Sequence, residues 1–304
     1  KGYTKEGIYK IIDFAKENYA DFKKFEYGTE EIETIILTVN FRQIHARHGQ
    51  YRQGKIKPWN LFIVTAGNPE QKAQFERELE RRFQRGDFSR RTKIVAWGPE
   101  GWMALGNGIY IIEAAKKLGL EAAEERLSKE ERIESLEDLF TGHKGAVIQS
   151  AGESKRIPNL SSTGKAWAYL PMENPRHRET NTIFDEVRIS LSSVAYQIEE
   201  GLVVINGDNY FVFDYDDIDF KSEGVVIVGW RAPAELAVEK HGILVSDRKG
   251  LIKYSLEKPS MKELQELGII PRDKDADRSV NISTGLMTMG KKGLAQFARL
   301  AGLE

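Results

Sequence analysis

One stretch of the chain, residues 145–165 (GAVIQSAGESKRIPNLSSTGK), combines small residues, hydroxyls and cations in a pattern suited to phosphate binding. Its apolar residues 146–148 indicate a buried strand, and a turn of small residues, 150–154, follows. The backbone N–H groups of such a turn can approach an anion closely, and the adjacent Lys155 and Arg156 would neutralise its charge. The spacing is not that of a Walker A loop, GxxxxGK[ST]. The stretch alone therefore leaves two interpretations open, a phosphate-binding turn and a solvated turn.

A carboxylate follows a second apolar run. Residues 201–205 (GLVVI) predict a buried strand, and the turn after it ends in Asp208. In open α/β sheets, ligands bind at the carboxyl ends of parallel strands. Asp208 could hold a divalent cation against a triphosphate there, or it could simply cap a turn. A third feature, the strand and loop over residues 92–108, ends in Gly106, Asn107 and Gly108 and opens a predicted helix, whose first amides could face an anion or a base.

The elements that would position these residues follow a βαβ order. Residues 60–65, 92–97 and 145–150 predict strands, and the polar, amphipathic residues 70–85 predict a helix between the first two. This order is typical of a parallel sheet covered by helices. The predicted fold is therefore α/β and Rossmann-like, with a mostly parallel sheet flanked by helices. Two amphipathic helical stretches precede it, so we predict an N-terminal helical segment over residues 1–57 and an α/β domain over residues 58–304.

The second half of the chain alternates predicted helices and strands. Residues 241–246 and 251–256 together predict a β-hairpin, because a polar turn separates two apolar strands. The other elements predicted there are a helix at 183–199, a strand at 225–229, a short helix near 233–240, a strand at 280–289 and a final helix at 291–300.

Composition excludes several classes of function. The net charge of -1 gives no global basic field, which disfavours nucleic acid as a partner. The basic stretch 42–57 could contact phosphate or RNA, although a solvated helix end is favoured there.

The absence of cysteine excludes disulfides, thiol catalysis and cysteine zinc sites. His45 and His48 lack a nearby carboxylate and predict a helix surface rather than a metal site. No apolar run is long enough to cross a bilayer, so we expect a cytoplasmic protein. Composition does not indicate the oligomeric state.

Five short motifs occur in a fixed order, each on or after a predicted strand. They are residues 150–158 (SAGESKRIP), 164–165 (GK), 207–208 (GD), 241–247 (HGILVSD) and 257–260 (EKPS). This ordered set resembles the fucose-1-phosphate guanylyltransferase family of sugar nucleotidyltransferases, including the pyrophosphorylase half of bifunctional fucokinase enzymes. The resemblance runs from about residue 59 to residue 300. It implies a nucleotidyltransferase (GT-A-like) fold over residues 58–304 and a reaction in which a nucleoside triphosphate and a sugar 1-phosphate give a nucleotide sugar and pyrophosphate. A fucose-like sugar, GTP and Mg²⁺ are the expected reactants and cofactor.

The resemblance also implies roles for individual residues. The catalytic residues would be Arg156, Lys165 and Asp208. The nucleotide would be bound by Ala151, Gly152, Ser154, Lys155, Gly106, Asn107 and Gly108. The sugar phosphate would be bound by His241, Gly242, Glu257 and Lys258. Mg²⁺ would be held by Asp208 and Ser283.

The sequence departs from the family pattern at the predicted metal site. Sugar nucleotidyltransferases commonly have a second metal-binding aspartate where this chain has Ser283. A neutral ligand would bind Mg²⁺ more weakly. An alternative function follows, in which the chain is a catalytically eroded module that binds nucleotide sugars in a regulatory or scaffolding role.

Overall fold

The helices and strands follow the α/β order that the sequence predicts. The computed structural model describes residues 4–24, 28–98, 142–150, 164–174, 179–247, 249–273 and 276–300. The helices are α1 Lys5–Asn18, α2 Thr29–Arg52, α3 Pro69–Gln84, α4 Ile183–Gln197, α5 Ala234–Ala237, α6 Met261–Glu266 and α7 Lys291–Leu300. The strands are β1 Leu61–Thr65, β2 Lys93–Trp97, β3 Lys144–Gln149, β4 Tyr169–Asn174, β5 Glu179–Thr182, β6 Gly201–Asn206, β7 Val225–Pro233, β8 Ile243–Ser246, β9 Ile252–Leu256 and β10 Ser279–Met289.

Four parallel strands form the first half of the main sheet, in the order β2-β1-β3-β6. Ile63 of β1 lies opposite Val147 of β3, which in turn lies opposite Val204 of β6. All three side chains are fully buried. A parallel strand is covered on both faces, which is why these strands are continuous apolar runs. The predicted α/β class and the mostly parallel central sheet are confirmed.

The second half of the main sheet is antiparallel and is organised by the long strand β10. Residues Met287–Met289 of β10 pair with β6, whereas Asn281 and Ile282 pair with β8, and β7 pairs along the other side of β10. The predicted hairpin is confirmed as β8 and β9. Because β10 runs against β6 and meets it only through its last residues, the earlier part of β10 extends past the carboxyl end of β6. The strands β8 and β9 extend with it.

Helices α2 and α4 pack together in the layer that covers the parallel strands. The residues Phe184–Ala195 of α4 are all buried, since α4 lies between the sheet and α2. His48 of α2 faces α4, where its Nδ1 lies 2.8 Å from Ser192 Oγ. The prediction of a surface position was therefore wrong for His48, because the second half of α2 packs against α4 instead of facing solvent. The boundary between residues 57 and 58 stays a prediction.

A two-stranded ribbon, β4 and β5, was not predicted from the sequence. It leads directly into α4, whose first turn is closed by a capping box between Thr182 and Asp185. Among the helices of the described residues, none combines the length and the apolar character needed to span a bilayer.

Candidate active site

The ends of β1, β3 and β6 meet at the carboxyl edge of the parallel strands. The backbone N–H of Ser150 donates to Thr65 Oγ1 over 3.1 Å, and that of Gly207 donates to the carbonyl of Gln149 over 2.8 Å. A Cβ atom at Gly207 would lie 2.1 Å from Ser150 Oγ and 2.9 Å from Ile148 Cγ2, so a side chain there would displace its neighbours. Asp208 follows directly. The first residue of the predicted phosphate turn and the candidate carboxylate therefore lie at the same edge of the sheet.

Lys165 and Asp208 are brought together at this edge, although they are far apart in the sequence. Lys165 Nζ lies 3.2 Å from Asp208 Oδ2, and the two side chains are 39% and 41% exposed. Both groups are therefore accessible to a ligand from solvent. An ammonium and a carboxylate side by side can bind a phosphate group and its counter-cation, respectively.

Lys165 begins a short 3₁₀ helix, Lys165–Trp167, which is held in place by contacts with α3 and α4. Gly164 has a φ of 76°, and a Cβ atom there would lie 2.8 Å from Phe75 Cζ of α3. Trp167 stacks on Phe184 of α4 with ring centroids 4.5 Å apart. The main chain before Lys165 and the ring after it are thus held by two different helices.

The sequence analysis missed a buried arginine, Arg82, that contacts Trp167 of this short helix. Arg82 donates through Nε and Nη2 to the two carboxylate oxygens of Asp185, over 2.8 and 2.9 Å. Its guanidinium also lies 4.7 Å from the centre of the Trp167 ring. Burial alone would raise the pKa of Asp185, but the hydrogen bonds and charge of Arg82 outweigh burial and hold that pKa well below its usual range. Arg82 lies in a highly charged helix, but it continues the helical spacing of the buried Phe75 and Leu79, which is the signal that could have identified it.

The residues predicted to bind the sugar phosphate form a second cluster. The backbone N–H of Ser283 donates to the carbonyl of Gly242 over 2.8 Å, next to His241 in the chain. A Cβ atom at Gly242 would lie 3.4 Å from Glu257 Oε2. Lys258 Nζ lies 3.0 Å from Glu257 Oε1. The predicted sugar-phosphate residues, just before β8 and just after β9, are thus near one another and near Ser283 of β10.

The two clusters are neighbours at the carboxyl edge. Gly285 of β10 has a φ of 77°, and a Cβ atom there would lie 2.2 Å from Asn206 Nδ2 at the end of β6. Ser283 is two residues before Gly285, and Asp208 is two residues after Asn206. The close contact between these strands therefore joins the Ser283 cluster to the Lys165–Asp208 pair.

The described residues offer few ligands for a resident metal ion. Within them, no group of three or more His, Cys, Asp or Glu side chains is placed to hold one. Mg²⁺ in nucleotide sites usually takes one or two carboxylates and obtains its other ligands from phosphates and water. The single carboxylate of Asp208, open to solvent, fits an ion of that kind.

Several predicted site residues lie outside the described residues, and their roles stay predictions. These are Gly106, Asn107, Gly108, Ala151, Gly152, Ser154, Lys155 and Arg156.

Comparison with known proteins gives one family match. The sequence model of the fucose pyrophosphorylase domain matches residues 140–302, more than half of the chain. The chain belongs to the fucose pyrophosphorylase domain family. The matched residues include both clusters, from Lys165 and Asp208 to His241, Lys258 and Ser283. The resemblance drawn from the sequence motifs is confirmed.

Three curated proteins are similar to this chain at low identity. The bifunctional fucokinase/GDP-fucose pyrophosphorylase of Arabidopsis thaliana is 22% identical over 250 residues, 75% of this chain and 23% of that protein. The fucose-1-phosphate guanylyltransferase of Mus musculus is 23% identical over 244 residues, 75% of this chain and 37% of that protein. That of Homo sapiens is 21% identical over 231 residues, 70% of this chain and 34% of that protein. The matched stretches thus make up 23–37% of the length of these relatives.

Proposed function

We propose that this chain is a sugar-1-phosphate nucleotidyltransferase that transfers a guanylyl group from GTP to a fucose-like sugar 1-phosphate. Membership of the fucose pyrophosphorylase domain family supports the reaction class. The observation that carries the proposal is the Lys165–Asp208 pair at the carboxyl edge, beside the turn at Ser150 and Gly207. The substrates are small molecules. A cytoplasmic location stays a prediction.

The proposed step is an in-line displacement at phosphorus. A phosphate oxygen of the sugar 1-phosphate attacks the α-phosphorus of the triphosphate and forms a new P–O bond. The bond from the α-phosphorus to the oxygen that bridges to the β-phosphate breaks, and its electron pair leaves with pyrophosphate. The protein must align two polyanions and offset their repulsion, and it need not form a covalent intermediate.

The two clusters divide this work between the two substrates. Lys165 would stabilise the negative charge that develops at the α-phosphate. Lys258, which is 59% exposed, would bind the phosphate of the sugar, and His241 and Gly242 would line the sugar pocket. Because the clusters adjoin through Gly285 and Asn206, both phosphates would lie at one edge of the sheet.

Asp208 and Ser283 would hold Mg²⁺ together with oxygens of the triphosphate. Bound there, the ion would neutralise phosphate charge and bring the two reactants together. Asp208 would supply the charged ligand and Ser283 a neutral oxygen. We expect the ion to bind together with the nucleotide, since one carboxylate alone is a weak site.

Pyrophosphate release tests the proposal. The wild-type chain is assayed with GTP, UTP, CTP and ATP, each with a panel of hexose 1-phosphates and with or without Mg²⁺. We expect the fastest release with GTP and fucose 1-phosphate, and only with the metal. Lys165→Met should lower kcat by about 10²–10³-fold. Lys292→Met is the matched control, because Lys292 forms an exposed ion pair with Glu223 at the opposite edge of the sheet. Absence of turnover with every pair, under several divalent metals, would overturn the proposal.

A binding role without catalysis is the second candidate, and Ser283 is the observation that favours it. If the neutral side chain has removed catalysis, calorimetry should detect GDP-fucose binding while pyrophosphate release stays at background. Ser283→Asp should then restore turnover. Turnover by the wild-type chain would exclude this candidate.

A further inference from the structure

Arg82 is a charged side chain in the interior for which the proposed reaction gives no direct role. It is only 1% exposed, and it lies on α3 behind the Lys165–Asp208 pair. Asp185 and Glu78 accept hydrogen bonds from its guanidinium, and so does Thr182 Oγ1 at 3.2 Å. Burying a guanidinium is costly unless it is fully paired. A chain that needed only a packed interior here could use an apolar residue instead.

The guanidinium connects α3 and α4 to the short helix that carries Lys165. It lies 4.7 Å from the centre of the Trp167 ring and 5.4 Å from that of Phe184, and these two rings stack on each other. Trp167 is two residues after Lys165. A three-residue 3₁₀ helix cannot fix its own orientation, so its direction depends on these contacts.

We propose that Arg82 is a positioning residue for Lys165, acting through Trp167. The inference rests on the proposed function, in which Lys165 acts on the triphosphate. The bidentate pair with Asp185 fixes the plane of the Arg82 guanidinium. The guanidinium in turn fixes the orientation of the Trp167 ring. Because Trp167 lies in the same short helix as Lys165, the position of its ring sets where the Lys165 ammonium lies relative to Asp208. Lysine at position 82 would keep the charge but lose the two-point contact and the planar stacking surface.

A double-mutant cycle separates positioning from general stability. Arg82→Met should lower kcat by about tenfold or more, and the KM for GTP should change by less than about threefold. In a Lys165→Met background the same change should have an effect of less than about twofold, because the side chain it positions is gone. An equal loss of kcat in both backgrounds would overturn the inference.

Arg188 provides the matched control for this cycle. It is also a buried arginine, 5% exposed, and its guanidinium lies 5.6 Å from the centre of the Phe88 ring. It donates to the carbonyl of Asp87, whereas Arg82 donates to the carboxylate of Asp185. Arg188→Met should lower the melting temperature as Arg82→Met does, but its effect on kcat should be the same in the wild-type and Lys165→Met backgrounds. If Arg188 couples to Lys165 as strongly as Arg82 does, the proposed action of Arg82 on Lys165 through Trp167 is not specific, and the inference is contradicted.

A second measurement does not depend on turnover. Lysines of the intact chain are reductively ¹³C-methylated, and the Lys165 signal is assigned by its loss in Lys165→Met. We expect Asp208→Asn and Arg82→Lys to shift this signal and Arg188→Lys to leave it in place. If the wild-type chain shows no activity but Arg82→Lys shifts the signal, the proposed function fails and the positioning inference stands. An unchanged signal in Arg82→Lys overturns the inference.

Arg82→Met could fail to fold, since it leaves Asp185 buried without its partner. Trp167→Phe then replaces it, because it keeps an apolar ring and reduces the stacking surface for the guanidinium. It should lower kcat and shift the methyl signal in the same direction as Arg82→Lys. A folded Trp167→Phe chain with wild-type kcat and an unshifted signal would contradict the inference.

Discussion

The parallel and antiparallel halves of the main sheet differ in how firmly they hold their functional residues. All five residues of β1 in the parallel half are buried, whereas four of the five residues of β9 in the antiparallel half are exposed. Lys165, at the edge of the parallel half, is anchored by α3 and α4. Lys258, after β9, has an exposed side chain and pairs with its neighbour Glu257. The proposed reaction would require precise alignment of the triphosphate, whereas recognition of the sugar would tolerate a more open surface.

This difference predicts different kinetic effects of mutations in the two halves. Removing a side chain at the parallel edge should lower kcat, because residues there are proposed to act on the α-phosphate of the triphosphate. Removing a side chain in the antiparallel half should raise the KM of the sugar phosphate, because residues there are proposed to bind the sugar 1-phosphate equally in the ground state and in the transition state.

The largest effect is expected at Asp208. Asp208→Asn keeps the size of the side chain and removes its charge, so kcat should fall by about 10²–10³-fold in a pyrophosphate-release assay, in the range seen when one electrostatic group is removed from an active site. Asp277→Asn is the control, since Asp277 is exposed and pairs with Arg231 away from the parallel edge. Equal activity in the two variants would show that Asp208 is not part of the active site.

Stability should distinguish the two halves next. Ile63→Ala in β1 removes a fully buried side chain and should cost about 2–5 kcal/mol of unfolding free energy. Ile252→Ala in β9, where the side chain is 39% exposed, should cost less than about 1 kcal/mol. Urea unfolding measures both. Similar losses in the two variants would mean that Ile252 is packed as tightly as Ile63.

Acid should weaken the layer that covers the parallel half. Burial, together with the nearby charge of Arg188, lowers the pKa of His48 to about 2. The unfolded chain binds a proton at His48 below about pH 6.5, and the folded chain does not. Stability is therefore lost as the pH falls below about 6.5, by at most about 1.4 kcal/mol per pH unit from this group. His48→Gln should show a shallower loss between about pH 6.5 and 4.5 by urea unfolding. An identical slope in the variant would show that His48 titrates normally.

The smallest effect is expected at Lys258. Lys258→Met should raise the KM for the sugar 1-phosphate by about tenfold, or about 1.4 kcal/mol, and change kcat by less than about threefold. Lys262→Met, in the next helix, is the control, because its side chain is 83% exposed and pairs with Glu266 one turn on. A fall in kcat at constant KM would contradict this, because it would show that Lys258 acts in the transition state and not in substrate binding.

The fold was largely predictable because its central strands are continuous apolar runs between turn residues. The strands at 61–65, 93–97, 144–149 and 201–206 and the β8–β9 hairpin carry local signals that need no tertiary information. The β4–β5 ribbon escaped prediction because β5 is short and polar and because β4 contains Pro171, which disfavours a strand. His48 was misplaced because a histidine on a helix gives no sign of which neighbour will cover it.

Only the site residues that belong to short sequence motifs could be predicted. The Gly-Lys and Gly-Asp pairs pointed to Lys165 and Asp208, and the structure places these two side chains in contact. No motif marks Arg82. Its spacing from Phe75 and Leu79 places it on the buried face of α3, but its partners Asp185 and Trp167 are distant in the sequence and could not be predicted. A buried ion pair between distant segments has no local sequence signal.

The most direct test of the account is a structure of the chain with GTP and Mg²⁺ bound. The account predicts the triphosphate at the carboxyl edge, with a phosphate oxygen within hydrogen-bond distance of Lys165 Nζ and with the ion between the phosphates and Asp208. A triphosphate bound elsewhere, for example in the 380 Å³ cavity lined by Tyr196, Phe220 and Lys291 at the opposite edge, would contradict it.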